Sequence, residues 1–158
     1  YAENPLILMS TLLIILLTLH IFLGIAAVAA WYGIWMNLFK EKSSWRFIRT
    51  SSTVGACAII LSWLTGGYYY ITHYGSAVRA IIRGGNYSWA HSIGMEFKEH
   101  IFLFLPFIAI VLWVLARHGE IHEGKNGLKR LMRGLAGVAV ALGTIITLAG
   151  IIISGAVR

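Results

Sequence analysis

The chain has little charge for its length. Only 12% of its 158 residues are Asp, Glu, Lys or Arg, whereas a soluble domain has about 25% because its surface must face water. Much of the surface of this protein must therefore face something other than water. The scarcity of charge excludes an ordinary soluble domain.

Cysteine and acidic residues are also scarce. Cys57 is the only cysteine, which excludes an internal disulfide, a thiolate metal cluster and covalent haem attachment through a Cys-x-x-Cys-His motif. There are 6 acidic and 13 basic residues, so the net charge is +7. In a membrane protein such an excess lies in loops retained in the cytoplasm and attracts anionic lipid. We therefore expect lipid, and not nucleic acid, as the partner of these charges.

Hydrophobic residues, by contrast, make up 58% of the chain, and the mean hydropathy is +0.77. They come in long blocks, each sufficient for a helix of about 20 residues to cross a hydrocarbon layer of roughly 30 Å. The sequence predicts an all-α fold, an integral membrane up-and-down four-helix bundle. The bundle is a single domain over residues 1–158, with spans at about 6–38, 50–72, 88–117 and 131–157. Pro106 predicts a kink in the third span.

The distribution of basic residues predicts the orientation of the chain in the membrane. Nine flank the first and third connections: Lys40, Lys42, Arg46, Arg49, Arg117, Lys125, Lys129, Arg130 and Arg133. Four lie on the opposite side: Arg79, Arg83, Lys98 and Arg158. This bias places both termini outside a bacterial inner (plasma) membrane. Residues 74–87 are predicted to form the longest connection, with a short interfacial helix at 76–83.

Six histidines in so apolar a chain indicate a function, because ionisable groups inside a bilayer are costly. His118 and His122 fall in the predicted cytoplasmic loop and need no such role. His20 lies in the middle of the first span, with Gly24 and Ala27 on its helical face. These small residues leave room for a planar ligand beside the imidazole. The alternative is a histidine that only hydrogen-bonds to a neighbouring helix.

His100, in the third span, is predicted to lie at nearly the same depth as His20. His20 is 20 residues from Lys40 and His100 is 17 from Arg117, so their depths differ by roughly 5 Å. Helices 1 and 3 of such a bundle lie on a diagonal of about 11–14 Å. This arrangement predicts His20 and His100 as the two axial ligands of a haem b iron.

Other residues complete this hypothesis. His73 ends the second span, with Gly66 two turns below it, and could replace either ligand. Phe104, with Phe107 and Tyr69, is predicted to wall the pocket. Arg79 and Arg83 would pair with the haem propionates or, equally, with lipid phosphate. A rival hypothesis uses the imidazole and carboxylate groups of His73, His91, Glu96 and His100 as a zinc or copper site.

Two segments resemble the small multi-helix haem-associated membrane proteins, which include the copper-resistance D-like group, the HemJ-like protoporphyrinogen oxidases and b-type cytochrome subunits. They are Leu19-His20 followed by Trp31-Tyr32-Gly33, and residues 98–115. In those families a histidine early in the first helix precedes a Trp-x-Gly, and a lysine opens a later helix. The resemblance implies haem contact with His20 as the ligand. It does not extend to oxidase activity, because residues 37–39 lack the arginine and tyrosine of the HemJ-like pattern.

The leading functional hypothesis is a b-type cytochrome subunit of a larger respiratory or photosynthetic complex. It would pass electrons within the membrane, between a quinone and a redox protein on the outer side, and this electron-transfer role is favoured over a stand-alone enzyme, which stays open. The alternative is a cofactor-free accessory subunit that contacts other membrane subunits. The fourth span supports either one, because its face of small residues suits helix packing or a flat ligand. That face consists of Ala136, Ala139, Gly143, Thr147, Gly150 and Ser154.

Overall fold

The protein is all-helical in the computed structural model, which describes residues 5–118 and 126–156, with side chains for 10–118 and 127–156. Four helices follow one another: α1 (Pro5–Asn37), α2 (Trp45–Gly84), α3 (Ala90–Leu115) and α4 (Asn126–Gly155). Each is long and apolar enough to cross a membrane, and the described residues contain no strand. The prediction of an all-α chain with four such helices is confirmed. Lys125, Arg158 and His122, used in the sequence argument, lie outside the described residues.

The helices pack in a ring in which neighbours run antiparallel. Helix α1 packs on α2 and α4, and α3 packs on the same two helices, so α1 and α3 lie on a diagonal. Early residues of one helix meet late residues of the next: His20 lies against Gly66, and Gly33 lies against Phe47. We call the two ends of the bundle the 38–44 end and the 85–89 end, after the residues that connect α1 to α2 and α2 to α3.

Helix α2 is longer than the sequence predicted. A span of 50–72, a connection over 74–87 and a separate helix at 76–83 were expected, but α2 continues to Gly84 and the connection is only 85–89. The expectation was wrong because Tyr70–Val78 forms a π-helix, whose wider turns keep the backbone hydrogen-bonded past Gly75. Buried Tyr74 and Ile82 then hold this extension against the bundle.

Helix α3 departs from regular α-helical geometry at its start and near its proline. Its first turns, Ala90–Met95, are π-helical, and the α-helical segments Glu96–Phe102 and Phe104–Leu115 are separated at Leu103. Pro106 has no backbone N–H to donate to the carbonyl of Phe102, four residues earlier. The interruption therefore lies where the proline removes a helical hydrogen bond.

The buried side chains form two separate clusters. The main core occupies the half nearer the 38–44 end and includes Trp31, Ile34, Leu105, Leu112 and Met132. A smaller cluster lies at the 85–89 end and consists of Tyr74, Ile82, Ala90, Met95 and Ile153. The space between the two clusters is not filled by side chains. It is there that the cavities of the bundle lie.

Candidate ligand-binding site

Two adjacent cavities, of about 440 and 620 Å³, lie between the two clusters. Both volumes are in the range of small-molecule sites, roughly 300–1,000 Å³. Both cavities are lined by Leu17, His20, Lys98, Phe102, Gly150 and Ser154. All four helices contribute, so the site exists only in the assembled bundle. We call these two cavities the smaller cavity and the larger cavity.

His20 is held by one residue of α2. Its Nδ1 lies 2.8 Å from the Ser62 carbonyl oxygen, and the Ser62 hydroxyl donates to the His20 carbonyl oxygen at 2.9 Å. With Nδ1 protonated, both hydrogen bonds form together and Nε2 keeps its lone pair. No hydrogen bond involves Nε2 among the described residues, and the ring lines both cavities. An N–H to carbonyl bond on one ring nitrogen is the usual orientation of a metal-binding imidazole.

Gly66 makes room for the His20 ring itself. A Cβ on Gly66 would overlap Nδ1 and Cε1 of His20, whereas a Cβ on Gly24 would be 3.7 Å from Ser62 Oγ. The sequence argument assigned the space beside such glycines to a planar ligand. At Gly66 the space is taken by the imidazole, and Gly24 remains as a lining residue of the smaller cavity.

His73 shares the larger cavity with His20. It lies seven residues beyond Gly66, roughly 10 Å along the helix axis, and Gly66 lines the same cavity. Its ring packs against Tyr69, with ring centroids 5.4 Å apart, and Tyr69 also lines this cavity. Of the three predicted ligands, His20 and His73 are therefore the two that line the same cavity.

His100 lies on a different face of α3. It is exposed, its Nδ1 is 2.7 Å from the Glu96 carbonyl oxygen, and it lines neither cavity. Phe104 is 64% exposed and also lies outside both cavities. The cavity face of α3 instead carries Lys98 and Phe102, which are one turn apart. His100 and Phe104 are each two residues further on, a rotation of about 200° around the helix.

The two arginines proposed for the propionates lie near the end of α2. Arg79 and Arg83 are exposed and line neither cavity. They are close enough to Tyr74 and His91 to act on them electrostatically. Their position suits an exposed anion, such as lipid phosphate, at least as well as a group bound inside the bundle.

His91 is buried in the smaller cluster. It is 4% exposed, and its Nδ1 lies 2.9 Å from the Tyr74 hydroxyl. Tyr74 stacks on Tyr70, with ring centroids 5.3 Å apart. This polar contact explains why a histidine is tolerated in the smaller cluster. Within 5–118 and 126–156, no three His, Cys, Asp or Glu side chains lie close enough to share a metal ion, so nothing supports the rival zinc or copper site.

Lys98 is a site residue that sequence reasoning did not propose: it was counted among the outer charges and as the first residue of the segment 98–115 in the resemblance. It is partly buried, lines both cavities, and its Nζ would be 3.7 Å from a Cβ placed on Gly150. Among the described residues it has neither a hydrogen bond nor an ion pair within 4 Å. The sequence feature that could have identified it as a site residue is a lysine one turn before an apolar face of α3.

The small-residue face of α4 serves both purposes considered for it. Ala136 and Ala139 are fully buried in the main core, and a Cβ on Gly143 would lie 2.6 Å from Val28 Cγ2. Further along the helix, Thr147 and Gly150 line the smaller cavity. The face therefore packs on α1 in one half of the bundle and borders the cavities in the other.

Comparison with known proteins finds no match. No family model matches the chain, and neither a curated protein nor a solved structure is similar to it.

Proposed function

We propose that the chain spans a bacterial inner membrane four times, with both termini outside. Large apolar side chains on the exterior of the bundle support membrane insertion; Ile71 is 80% exposed and Phe107 69%. Such a surface is unfavourable in water but not in hydrocarbon. The orientation rests on the basic residues around the 38–44 end, which the positive-inside rule assigns to the cytoplasm. The cavities then lie in the outer half of the membrane.

Within this arrangement, we propose that the protein is a b-type cytochrome subunit. The observation that carries the proposal is His20, whose Nδ1 is bonded to the Ser62 carbonyl while its ring borders both cavities. His20 and His73, which both line the larger cavity, are the residues that would hold the haem iron. His100, which its predicted depth favoured as the second haem ligand, lies outside the cavities. His73 is therefore preferred to His100 as that ligand.

The residues of the chain bind and insulate the cofactor. Bound haem b would supply a one-electron redox centre. Ser62 holds the imidazole of His20 in one orientation, and Gly66 allows its ring to lie close to α2. Trp63 and Phe102 exclude water from the larger cavity. A quinone on the membrane side and a redox protein on the outer side are the partners proposed for electron exchange, within a larger complex.

The test is a difference spectrum, dithionite-reduced minus oxidised, of detergent-purified protein expressed with ample haem. We expect a sharp b-type α-band that is lost in His20→Ala and in His73→Ala. His100→Ala is the matched control, because it removes an imidazole from the same membrane depth but from outside the cavities, and it should keep the band. A band that survives His73→Ala and disappears in His100→Ala would restore the original ligand pair.

A second candidate is a cofactor-free accessory subunit. The contacts of His20 with Ser62 and Gly66 favour it, because they account for a polar residue in α1 through helix packing alone. A wild-type protein without any α-band would support this candidate and exclude the cytochrome. Co-purification with other membrane subunits would then be the next observation to seek.

A further inference from the structure

Lys98 lines two largely apolar cavities and has no hydrogen bond or ion pair within 4 Å among the described residues. Its nearest acidic neighbour in sequence, Glu99, interacts with the hydroxyl of Tyr70 and does not pair with Lys98. An ammonium group taken from water into apolar surroundings is costly unless an anion or hydrogen-bond acceptors compensate. Among the described residues, none gives Lys98 a hydrogen bond or an ion pair within 4 Å, and Glu99 contributes only a longer-range electrostatic attraction. An anionic group from outside the chain would provide that compensation.

The length and lining of the smaller cavity suit an amphiphilic ligand. It runs beside α4 from Gly143 to Gly155, a length of about 18 Å. Its deeper part is walled by apolar side chains, including Val28, Trp31 and Leu105. Lys98 and exposed Ser154 lie towards the other end, and the remaining polar lining residues are His20, Ser62 and Thr147. The cavity is thus long and apolar, with one cation near the end that reaches the surface.

We propose that the smaller cavity binds an amphiphile with a single acidic headgroup, a carboxylate or a phosphate, which pairs with Lys98. Its apolar chain lies between α1 and α4 and extends towards Trp31. A charge-assisted hydrogen bond from the ammonium to the headgroup anchors the ligand. The small residues of α4, Gly143 and Gly150, keep the space open for the chain. This site goes beyond the proposed cytochrome function: His20 and Lys98 line both cavities, but His73, the second proposed haem ligand, lines the larger cavity and not the smaller one.

Native mass spectrometry of the purified full chain tests the proposal. The probes are oleate, oleoyl lysophosphatidic acid and the uncharged analogue oleyl alcohol, each added to protein in a non-ionic detergent. We expect one oleate or one lysophosphatidic acid per chain and little oleyl alcohol. The preference between the two acids identifies the headgroup as carboxylate or phosphate.

Variants of Lys98 assign the binding to this site. Lys98→Met keeps the length and apolar stem of the side chain without its charge, and should weaken oleate binding at least about tenfold. Lys98→Arg should retain binding, which separates loss of charge from misfolding. Lys42→Met removes an exposed cation at the 38–44 end and should have no effect. Equal oleate binding by wild type and Lys98→Met, or oleyl alcohol binding as tight as oleate, overturns the proposal.

The same preparations separate this proposal from the cytochrome proposal. His73→Ala should lose the α-band but still bind oleate through Lys98, because His73 lines the larger cavity and not the smaller one. Oleate binding without any α-band would leave the amphiphile site standing alone. An α-band with no charge-dependent oleate binding would exclude the amphiphile site and leave the cytochrome intact.

Discussion

At the scale of single residues, the most informative contact is the fit of His20 against α2. The Ser62 carbonyl oxygen is hydrogen-bonded to His20 Nδ1, and the Ser62 hydroxyl donates to the His20 carbonyl oxygen. Gly66 lacks the side chain that would overlap the His20 ring. The contact therefore serves two purposes. It satisfies a polar group in an apolar helix, and it directs the other ring nitrogen away from α2.

A first prediction follows from the absence of a side chain at Gly66. Gly66→Ala should displace the His20 ring and break its bond to Ser62, at a cost of about 1–3 kcal/mol, as for other overpacked sites. Gly67→Ala is the control, because a Cβ at Gly67 meets no atom within 4 Å. Thermal unfolding in detergent should show a lower midpoint for Gly66→Ala alone, together with loss of any α-band. Equal midpoints for the two variants would mean that His20 is not held against Gly66.

At the scale of helices, α4 shows how one face can change its role along its length. Nearer the 38–44 end its small residues pack directly on α1, whereas nearer the 85–89 end they border the cavities. Helix α2 shows a similar change, from α-helix to π-helix at Tyr70. Both changes occur where the tightly packed core gives way to the cavities.

A second prediction concerns the contact of α4 with α1. Gly143→Ala would bring a Cβ to 2.6 Å from Val28 Cγ2, and Val28 cannot easily turn away because a β-branched residue has one preferred rotamer in a helix. We expect a loss of about 1–3 kcal/mol. Gly134→Ala on the same helix meets no neighbour within 4 Å, and should be neutral or stabilise by about 0.5–1 kcal/mol. Thermal unfolding of the two variants side by side checks this, and a stable Gly143→Ala would contradict the close packing.

At the scale of the whole molecule, packing and charge are both asymmetric. The main core and many of the basic residues belong to the half nearer the 38–44 end, and the cavities belong to the other half. In the proposed orientation, a ligand would enter from the outer leaflet. The positively charged half would face the anionic lipid of the cytoplasmic leaflet.

A third prediction tests this orientation. In a Cys57→Ala background, single cysteines are introduced as Glu41→Cys and Asn86→Cys, at exposed positions beside the two ends. A membrane-impermeant maleimide added to spheroplasts should label Asn86→Cys, and should label Glu41→Cys only after permeabilisation, because the positive-inside rule retains the 38–44 loop in the cytoplasm. The reverse pattern of labelling would invert the topology and place the cavities in the inner half.

The sequence by itself determined the class of the fold. Long apolar blocks allow helices and little else, because a helix satisfies its own backbone hydrogen bonds without water. The end of α1 at Asn37 is close to the predicted 38, whereas α4 already includes Asn126, before the predicted start at 131. The end of α2 was not predicted, because a π-helical continuation depends on the burial of Tyr74 and Ile82. Depth along a helix was also readable from the sequence, which is why His20 and His100 were paired.

Only the tertiary structure decided which residues face a common space. Residues at equal depth can point in different directions, and the rotation of each helix depends on its contacts with both neighbours. His100 faces outward, while Lys98, two residues earlier, faces the cavities, and His73 joins His20 because α2 continues past its predicted end. The rotation of a membrane helix depends on packing against its neighbours, and apolar residues all around α1 and α3 leave little sign of it in the sequence.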